Sequence, residues 1–591
     1  MTSFRVERFG FSKADVSAWG QVDPAHSNWP VVYVIDDERR QPRKQRAVYV
    51  GETLSAVGRM RQHLESKKGL DLTTVRVVID ETFNKSVCLD LESHLIRWLD
   101  GDDAFTILNG NHGITDAAYY ERERYRLSFR DVFEELRREG IFSRSIPEIE
   151  NSDLFKLSPF KALTQDQAIA VEQIVEDFLN DLADSDEVEH PLRVIEGYPG
   201  TGKTVVAIFI MKLLADIRGA IDFDDVNADT MFADLFTREN QELLRDLRIG
   251  LVVPQQSLRM SIKRVFSRTI GLSPDMVLTP FDVAAASEPF DLLLVDEAHR
   301  LNQRANQSSG VQNRKFIDAN VALFGGDDLT KTQLDWIRER SRNQILLLDP
   351  EQTVRPADLP RELTTQLVRD SKYRHRHYSL SSQMRVAGGQ DYITFARRLV
   401  RGEIEPHEAF DFPSYDVEFF DSAVALREAI FARDAEQGLS RLVAGYAWEW
   451  VSRRDPAAFD IRLDGLEMVW NRTDKDWINS PGSLNEVGSI HTVQGYDLNY
   501  AGVIIGPDLR YDAEAGRVYV DRNSYKDTKG KENNKALGRV YTDEDLLSYI
   551  TNIYAVLLTR GIRGTYVYVC DPGLREYVKG VFSCTNGAPG R

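Results

Sequence analysis

Short apolar runs punctuate the chain, and their spacing predicts alternating strands and helices. Residues 31–35, VVYVI, form one such run. After the basic loop DDERRQPRKQR, the stretch AVYVGETLSAVGRMRQHL (47–64) reads as a strand, a glycine turn and a helix. Tyr33 and Tyr49 then sit on neighbouring strands of a hairpin, and Arg59 and His63, four apart, point from one helix face. Downstream, SVCLDLESHLIRWLD places Val87, Leu91, Leu95 and Trp98 at helical spacing with Glu92 at the edge of the stripe. FTILNGN then brings a strand end carrying Asn109. Later runs are more apolar: LRVIEGYPGTGKTVVAIFIMKLL is strand, glycine-rich turn and helix, while FDLLLVDEAHR and ILLLDPEQTVRP are strands that end in carboxylates.

At 591 residues the chain exceeds one core, and about three to five domains are expected. Cys88, Cys570 and Cys584 form no CxxC pair, which argues against a disulfide framework or a cysteine zinc site. The start, MTSFRVERFGFSKADVSAW, lacks the apolar run of a signal peptide. The longest apolar run, VVAIFIM at 205–211, is far below the roughly 18 residues that span a bilayer. A cytoplasmic protein with no membrane partner is expected; the sequence does not speak to oligomeric state. A net charge of −18 argues against indiscriminate coating of nucleic acid, yet residues 37–68 reverse that sign with nine Lys/Arg against four Asp/Glu.

The strongest motif is the turn GxxxxGK[ST], met by Gly197, Gly202, Lys203 and Thr204, with Gly200 between them. Its backbone N–H groups and the helix N-terminus suit phosphate oxygens; Lys203 would reach the β/γ-phosphates of ATP and Thr204 would bind Mg²⁺. A buried strand delivering Asp296 to its C-terminal edge fits the second Mg²⁺ contact, and Glu297 is placed to polarise the attacking water.

DEAH at 296–299 resembles motif II of helicases, and further signals follow in helicase order. LTQDQ puts Gln167 where helicases read adenine. ILLLDPEQTVRP, with Asp349 and Gln352, is similar to motif III, which senses the γ-phosphate. SIHTVQGYDLNYAGVIIG resembles motif V through His491, Gln494 and Gly495. Arg385 of LSSQMR, and Arg560 and Arg563 of YAVLLTRGIRG, look like arginine-finger positions of superfamily-one helicases. From about 160 to 582 the chain resembles superfamily-one-like ATPases of the Schlafen-group helicase family, carried chiefly by TQLDWIRERSRNQILLLDPEQTVRP and IYAVLLTRGIRGTYVYVCD. That resemblance implies two RecA-like lobes with parallel sheets, ATP between them and a nucleic-acid strand across both.

Tyr33, Tyr49, Arg59, His63, Glu92 and Asn109, in that order, resemble the GIY-YIG nuclease family over about residues 29–115. The resemblance implies that Glu92 holds one divalent metal, Mg²⁺ or Mn²⁺. It also implies that Arg59 and His63 handle the scissile phosphate, that a tyrosine helps activate water and that Asn109 supports the site. The first motif, Val31-Val32-Tyr33, lacks its leading glycine; the second reads Tyr49-Val50-Gly51. His94 reads as an ordinary helix residue.

The expected architecture is α/β: an N-terminal arm (1–28), a small GIY-YIG-like nuclease domain (29–116), a charged helical linker (117–160), two RecA-like lobes (161–375 and 376–585) and a tail (586–591). The expected function is an ATP-dependent nuclease–helicase acting on DNA or RNA, with a role in prokaryotic anti-phage defence suggested by resemblance. The alternatives are a nucleic-acid-sensing ATPase switch whose nuclease fold does not cut, and an RNA-directed nuclease.

Overall fold

A computed structural model describes residues 4–38, 46–67, 70–109, 118–184, 192–219, 231–304, 310–349, 352–405, 408–473, 477–493, 497–535 and 537–585. Gln494 and Gly495, most of the basic loop 36–46 and the tail lie outside the described residues. The chain divides into two compact units. One comprises Met1–Ser185, Thr204–Asp246 and Ser261–Asp275; the other comprises Asp186–Lys203, Leu247–Met260 and Met276–Arg591.

The first unit holds a five-stranded sheet of β1 (Phe4–Gly10), β2 (Val31–Asp36), β3 (Arg46–Thr53), β4 (Thr74–Asp80) and β5 (Phe105–Ile107), in the order β1-β4-β2-β3-β5. β2 is central and buried throughout, so it is apolar on both faces. Its alternate residues serve different cores. Val32 and Val34 pack with Leu91, Leu95 and Trp98 of the helix Lys85–Asp102, whereas Val31, Tyr33 and Ile35 pack with Ala56 and Met60 of the helix Ala56–Ser66. The first of those helices starts where Asn84 accepts the Val87 N–H at 3.1 Å, a side-chain N-cap.

The glycine expected to turn the chain, Gly51, lies inside β3 instead, opposite Tyr33 in the antiparallel β2–β3 pair. A Cβ there would stand 2.2 Å from Tyr33 Oη, so the residue is glycine because a phenol ring lies over it. The turn falls after Thr53, and the next helix begins at Ala56.

The second unit holds two parallel sheets. The first takes β6 (Leu192–Gly197), β7 (Ile249–Val252), β8 (Val277–Leu278), β9 (Phe290–Val295), β10 (Ser341–Leu348) and β11 (His377–Leu380), in the order β11-β6-β10-β9-β7-β8. The second takes β12 (Asp416–Phe419), β13 (Ser440–Ala444), β14 (Ile461–Leu463), β15 (Leu466–Trp470), β16 (Glu486–Ser489), β17 (Leu498–Ile505) and β20 (Gly561–Val569), in the order β12-β20-β17-β13-β16-β15-β14. Only its edge pair β14–β15 is antiparallel. A separate ribbon pairs β18 (Leu509–Asp512) with β19 (Arg517–Val520). β9 and β10 are buried along nearly their whole length, which is why FDLLLV and QILLL read as unbroken apolar runs. Among the described residues no helix is long and apolar enough to cross a membrane.

Candidate functional site

β6 ends at Gly197, and the turn that follows leads into the helix Lys203–Gly219, whose second residue is Thr204. Lys203 Nζ donates to the carbonyls of Gly197 (2.7 Å) and Tyr198 (3.3 Å). Gly200 and Gly202 take φ of 85° and 78°, the left-handed region. At Gly200 a second demand is added: a Cβ would lie 2.1 Å from Gln383 Oε1. Gln383 belongs to the segment after β11, and that segment is bonded to the loop. Gln383 Nε2 donates to Pro199 O (2.8 Å), and the Met384 N–H donates to Gly200 O (2.9 Å). Gln383 Oε1 in turn accepts the Arg385 N–H at 2.9 Å, which aims the chain at that arginine.

Asp296 and Glu297 follow β9, the carboxylate pair that the apolar strand was expected to deliver. Asp296 is fully buried and accepts the Glu297 N–H at 3.0 Å. Glu297 takes φ 48°, a left-handed conformation that costs a side-chain-bearing residue energy and redirects its carboxylate. Burial works against its charge, but His299, Lys203, Arg300 and Arg560 outweigh it and hold the carboxyl below its ordinary range. His299 Nε2 stands 3.1 Å from Glu297 Oε2. On the ring's other side, Nδ1 accepts the Asp349 N–H at 3.3 Å. Asp349 Oδ2 receives Gln352 Nε2 at 2.9 Å.

The second sheet contributes an arginine to the same place. Arg560, just before β20, is 3% exposed; burial and the like charge of Arg385 push its guanidinium down to about 9, against the pull of Asp497 and Glu297. Arg385 pairs with Asp497. Lys203, Glu297, Arg385 and Arg560 are thus brought together. Arg563 is not: it is exposed on β20, and its charge acts on Tyr500. Gln167 is the fourth residue of a capping box, its Oε1 accepting the Thr164 N–H at 3.1 Å, so its amide serves the start of the helix Gln165–Ala183.

Sequence reasoning missed four contributors. His299 stood inside the quoted DEAH and Gln383 two residues before Arg385, so both had a local signal. Tyr198 likewise stood inside the quoted GYPGTGKT, whereas Arg397 had no local signal. Arg397, in the helix Gly389–Arg401, lies 5.1 Å from the centre of the Tyr198 ring and 3.5 Å from Asp349 Oδ2, a meeting that only the tertiary fold creates.

Beyond the C-terminal end of β7 opens a cleft of about 350 Å³ whose wall includes Gln255, Arg259, Asn302, Arg355 and His491. Arg259 is held by the carbonyl of Val253 at 2.8 Å, and His491 Nε2 is 3.2 Å from Asp527 Oδ2.

The first unit carries a separate cluster. Tyr33 Oη and His63 Nε2 are 2.7 Å apart, and the Tyr49 ring stands edge-on to His63 at 4.8 Å. Burial, then Arg59 and Lys67, push His63 down to about 3, so the ring is neutral at pH 7. Burial keeps Tyr33 protonated, well above the ordinary phenol value. His63 Nδ1 is buried with no hydrogen-bond partner among the described residues. Arg59 is half-buried, with Nη1 2.5 Å from Gln62 Oε1. Glu92, on the helix Lys85–Asp102, is pushed up to about 8 by burial and by the negative charge of Glu52, with Arg59 pulling the other way. Asn109 clamps β3, accepting the Val50 N–H at 3.1 Å and donating to its carbonyl at 2.8 Å. His94 is a packed helix residue, bonded to Asp90 O and set against Trp98 and Phe129.

The family model for the Schlafen group 3 DNA/RNA helicase domain matches residues 191–571. The uncharacterized protein YPL245W of Saccharomyces cerevisiae is 27% identical over 416 residues, 66% of this chain and 84% of that protein. Among solved structures, the arterivirus nonstructural protein 10 helicase matches with a TM-score of 0.27 and 15% identity, over 68% of this chain and 64% of that chain. The Pif1 helicase from Bacteroides, in complex with ADP-AlF3 and ssDNA, matches with a TM-score of 0.23 and 11% identity, over 66% of this chain and 91% of that one. With well over half of its length matched by the family model, the chain belongs to the Schlafen group 3 DNA/RNA helicase domain family.

Proposed function

We propose that the protein hydrolyses ATP and couples the hydrolysis to a bound nucleic-acid strand. The observation that carries this reading is the convergence of Lys203 and Glu297 of the first sheet with Arg385, at the chain's exit from that sheet, and Arg560 of the second. A lysine at the phosphates, a carboxylate for the attacking water and two cations for the transition state are the parts phosphoryl transfer needs. The buried Asp296 supplies a hard oxygen donor that fits Mg²⁺ or Mn²⁺ beside the phosphates, where a divalent ion neutralises charge. Glu297, held charged, orients water; Arg385 and Arg560 hold the charge that grows on the γ-phosphoryl oxygens. The strand runs through the cleft of Arg259, Arg355 and His491, whose cationic and amide groups suit a sugar–phosphate backbone.

The test is ATP turnover by the parent and Lys203→Ala proteins, with and without single-stranded DNA or RNA. The parent should be stimulated, with stimulation falling as salt rises, and the variant should be inactive. A parent rate indifferent to every nucleic acid would overturn the coupling, and near-parental turnover by the variant would overturn the ATP site.

A second activity has its own observation, the Tyr33–His63 pair with its buried Nδ1, which has no hydrogen-bond partner among the described residues, beside Arg59. We read it as a GIY-YIG-type phosphodiesterase site in which neutral His63 and Arg59 address the phosphate. Glu92 offers a hard carboxylate oxygen of the kind that suits a divalent cation, with burial, the larger cause, and the negative charge of Glu52 raising its proton affinity. A bound cation would supply charge neutralisation there.

A further inference from the structure

At the N-terminal ends of β6 and β10, the end of the six-stranded sheet opposite the phosphate loop, lies a cavity of about 540 Å³. Its wall begins with Leu192 and Ser341, the first residues of those strands, and carries Arg338, Arg342, Arg374 and Tyr373. The arginines come from two segments. RERSR (338–342) joins the helix Gln333–Glu339 to β10, and RDSKYRHRH (369–377) joins the helix Arg361–Tyr373 to β11. Together they hold seven Lys/Arg against two Asp/Glu, in a chain of net charge −18. Tyr373 is 87% exposed.

The backbone contributes a further sign. The helix Arg361–Tyr373 closes with Arg376 N–H donating to Ser371 O at 2.8 Å and His375 N–H to Lys372 O at 3.2 Å, a closure that normally puts glycine in the left-handed position. Here His375 takes it, at φ 56°, so the chain keeps an imidazole beside Arg374 where glycine would be less strained.

We propose that this pocket is a second nucleic-acid contact, in which Arg338, Arg342 and Arg374 take phosphates of a single strand and Tyr373 stacks on a base. Basic side chains around an exposed aromatic ring are how single strands are held without sequence preference. The arginines stand on an open rim and come from two segments, an arrangement for a running polyanion more than for an enclosed nucleotide. Arg342 also lies 3.3 Å from the partly buried Asp291, so a phosphate at this exposed guanidinium shares it with that carboxylate. β6 separates the pocket from the phosphate loop by its six residues, about 20 Å of extended chain, so this contact is distinct from the motor cleft.

The test is strand binding by the full chain without ATP, so that failure of the motor reading leaves it interpretable. Anisotropy of labelled oligo-dT and oligo-rU is followed across a salt series. The triple variant Arg338→Ala, Arg342→Ala, Arg374→Ala should bind more weakly, with the slope of log affinity against log salt reduced by about 2, roughly 0.7 per lost phosphate contact. Tyr373→Ala, at an exposed position that folding does not need, should lose about 5-fold or more with its slope unchanged. Parental affinity and slope in both variants would overturn the proposal. So would parental binding by Tyr373→Ala alone. Equal competition by polyglutamate at matched charge would overturn it too, by assigning the patch to acidic polypeptides.

Discussion

His299 holds the backbone N–H of Asp349 on Nδ1 at 3.3 Å while its Nε2 stands 3.1 Å from the Glu297 carboxylate. One imidazole therefore ties the end of β9 to the end of β10. With Nδ1 accepting, the ring proton sits on Nε2 and faces Glu297; burial works against a second proton, while the charges of Glu297 and Asp349 favour one. His299 is a positioning residue in this arrangement. His299→Ala is expected to lower kcat about 10²-fold with a smaller effect on KM, because a misplaced carboxylate costs the chemical step more than nucleotide binding. Steady-state kinetics check this, and His299→Asn, whose amide can still accept from Asp349, should recover part of the loss.

Arg385 and Arg560 are expected to behave alike and Arg563 differently. Alanine at either of the first two should reduce kcat by about 10³-fold or more while ATP affinity changes little, since a finger meets charge that is largest in the transition state. Arg563→Ala should hydrolyse ATP at close to the parental rate, because Arg563 is exposed and away from the cluster. Parental turnover in Arg560→Ala would remove that residue from the site.

In the first unit, Glu92→Gln keeps the size of the side chain and resembles its protonated form. The fold should persist. Cleavage of labelled DNA or RNA in Mg²⁺ should fall to background, as it should for Arg59→Ala, while ATP hydrolysis stays intact. Comparing the two nucleic acids also separates a DNase from an RNA-directed nuclease. A parent protein that binds both and cuts neither would mark the fold as a binding module.

His63 sets a pH dependence. The unfolded chain protonates it at its ordinary value near 6.5, whereas the fold holds it down to about 3, so the unfolded state binds the extra proton between those values. Stability from this residue is complete above about 6.5 and is lost as pH falls towards 3. Between pH 7 and pH 5 the loss is about 2 kcal/mol. Denaturant titrations at both pH values should show it in the parent and much less in His63→Gln; the difference between the two proteins isolates His63 from the buried acids that titrate nearby.

What was legible in the chain was what neighbouring residues determine. GYPGTGKT and DEAH are local, because a strand end, a turn and a helix start must occur in consecutive residues to make a phosphate loop or a strand-end carboxylate. Strand and helix periods placed Tyr33 and Tyr49 on a hairpin and Arg59 with His63 on one helix face; the family resemblance alone put Tyr33 and His63 in one site, where they stand 2.7 Å apart. Gly51 misled because glycine usually signals a turn; its reason for being there, the ring of Tyr33, sits on another strand. Arg560 and Arg563 looked equivalent in TRGIRG, yet Arg560, just before β20, is buried and Arg563, on β20, is exposed. Arg397 beside Tyr198 was invisible, since nothing short of the packed sheets brings them together. The anti-phage expectation rests on resemblance alone.

The segment that carries Gln383 and Arg385 leaves directly from β11, and β11 pairs with β6, the strand of the phosphate loop itself, as His377↔Val194 through Leu380↔Gly197. Those partners are more than 180 residues apart, so their closure carries a large loop entropy and belongs to the late, slow class of folding events. Until residue 380 has been synthesised, one side of β6 is an unpaired edge, the kind of surface on which chains aggregate. A fragment that stops between β10 and β11 would therefore have an open sheet edge and a phosphate loop without its outer support. Any excised piece meant to fold and bind nucleotide has to run at least through residue 386.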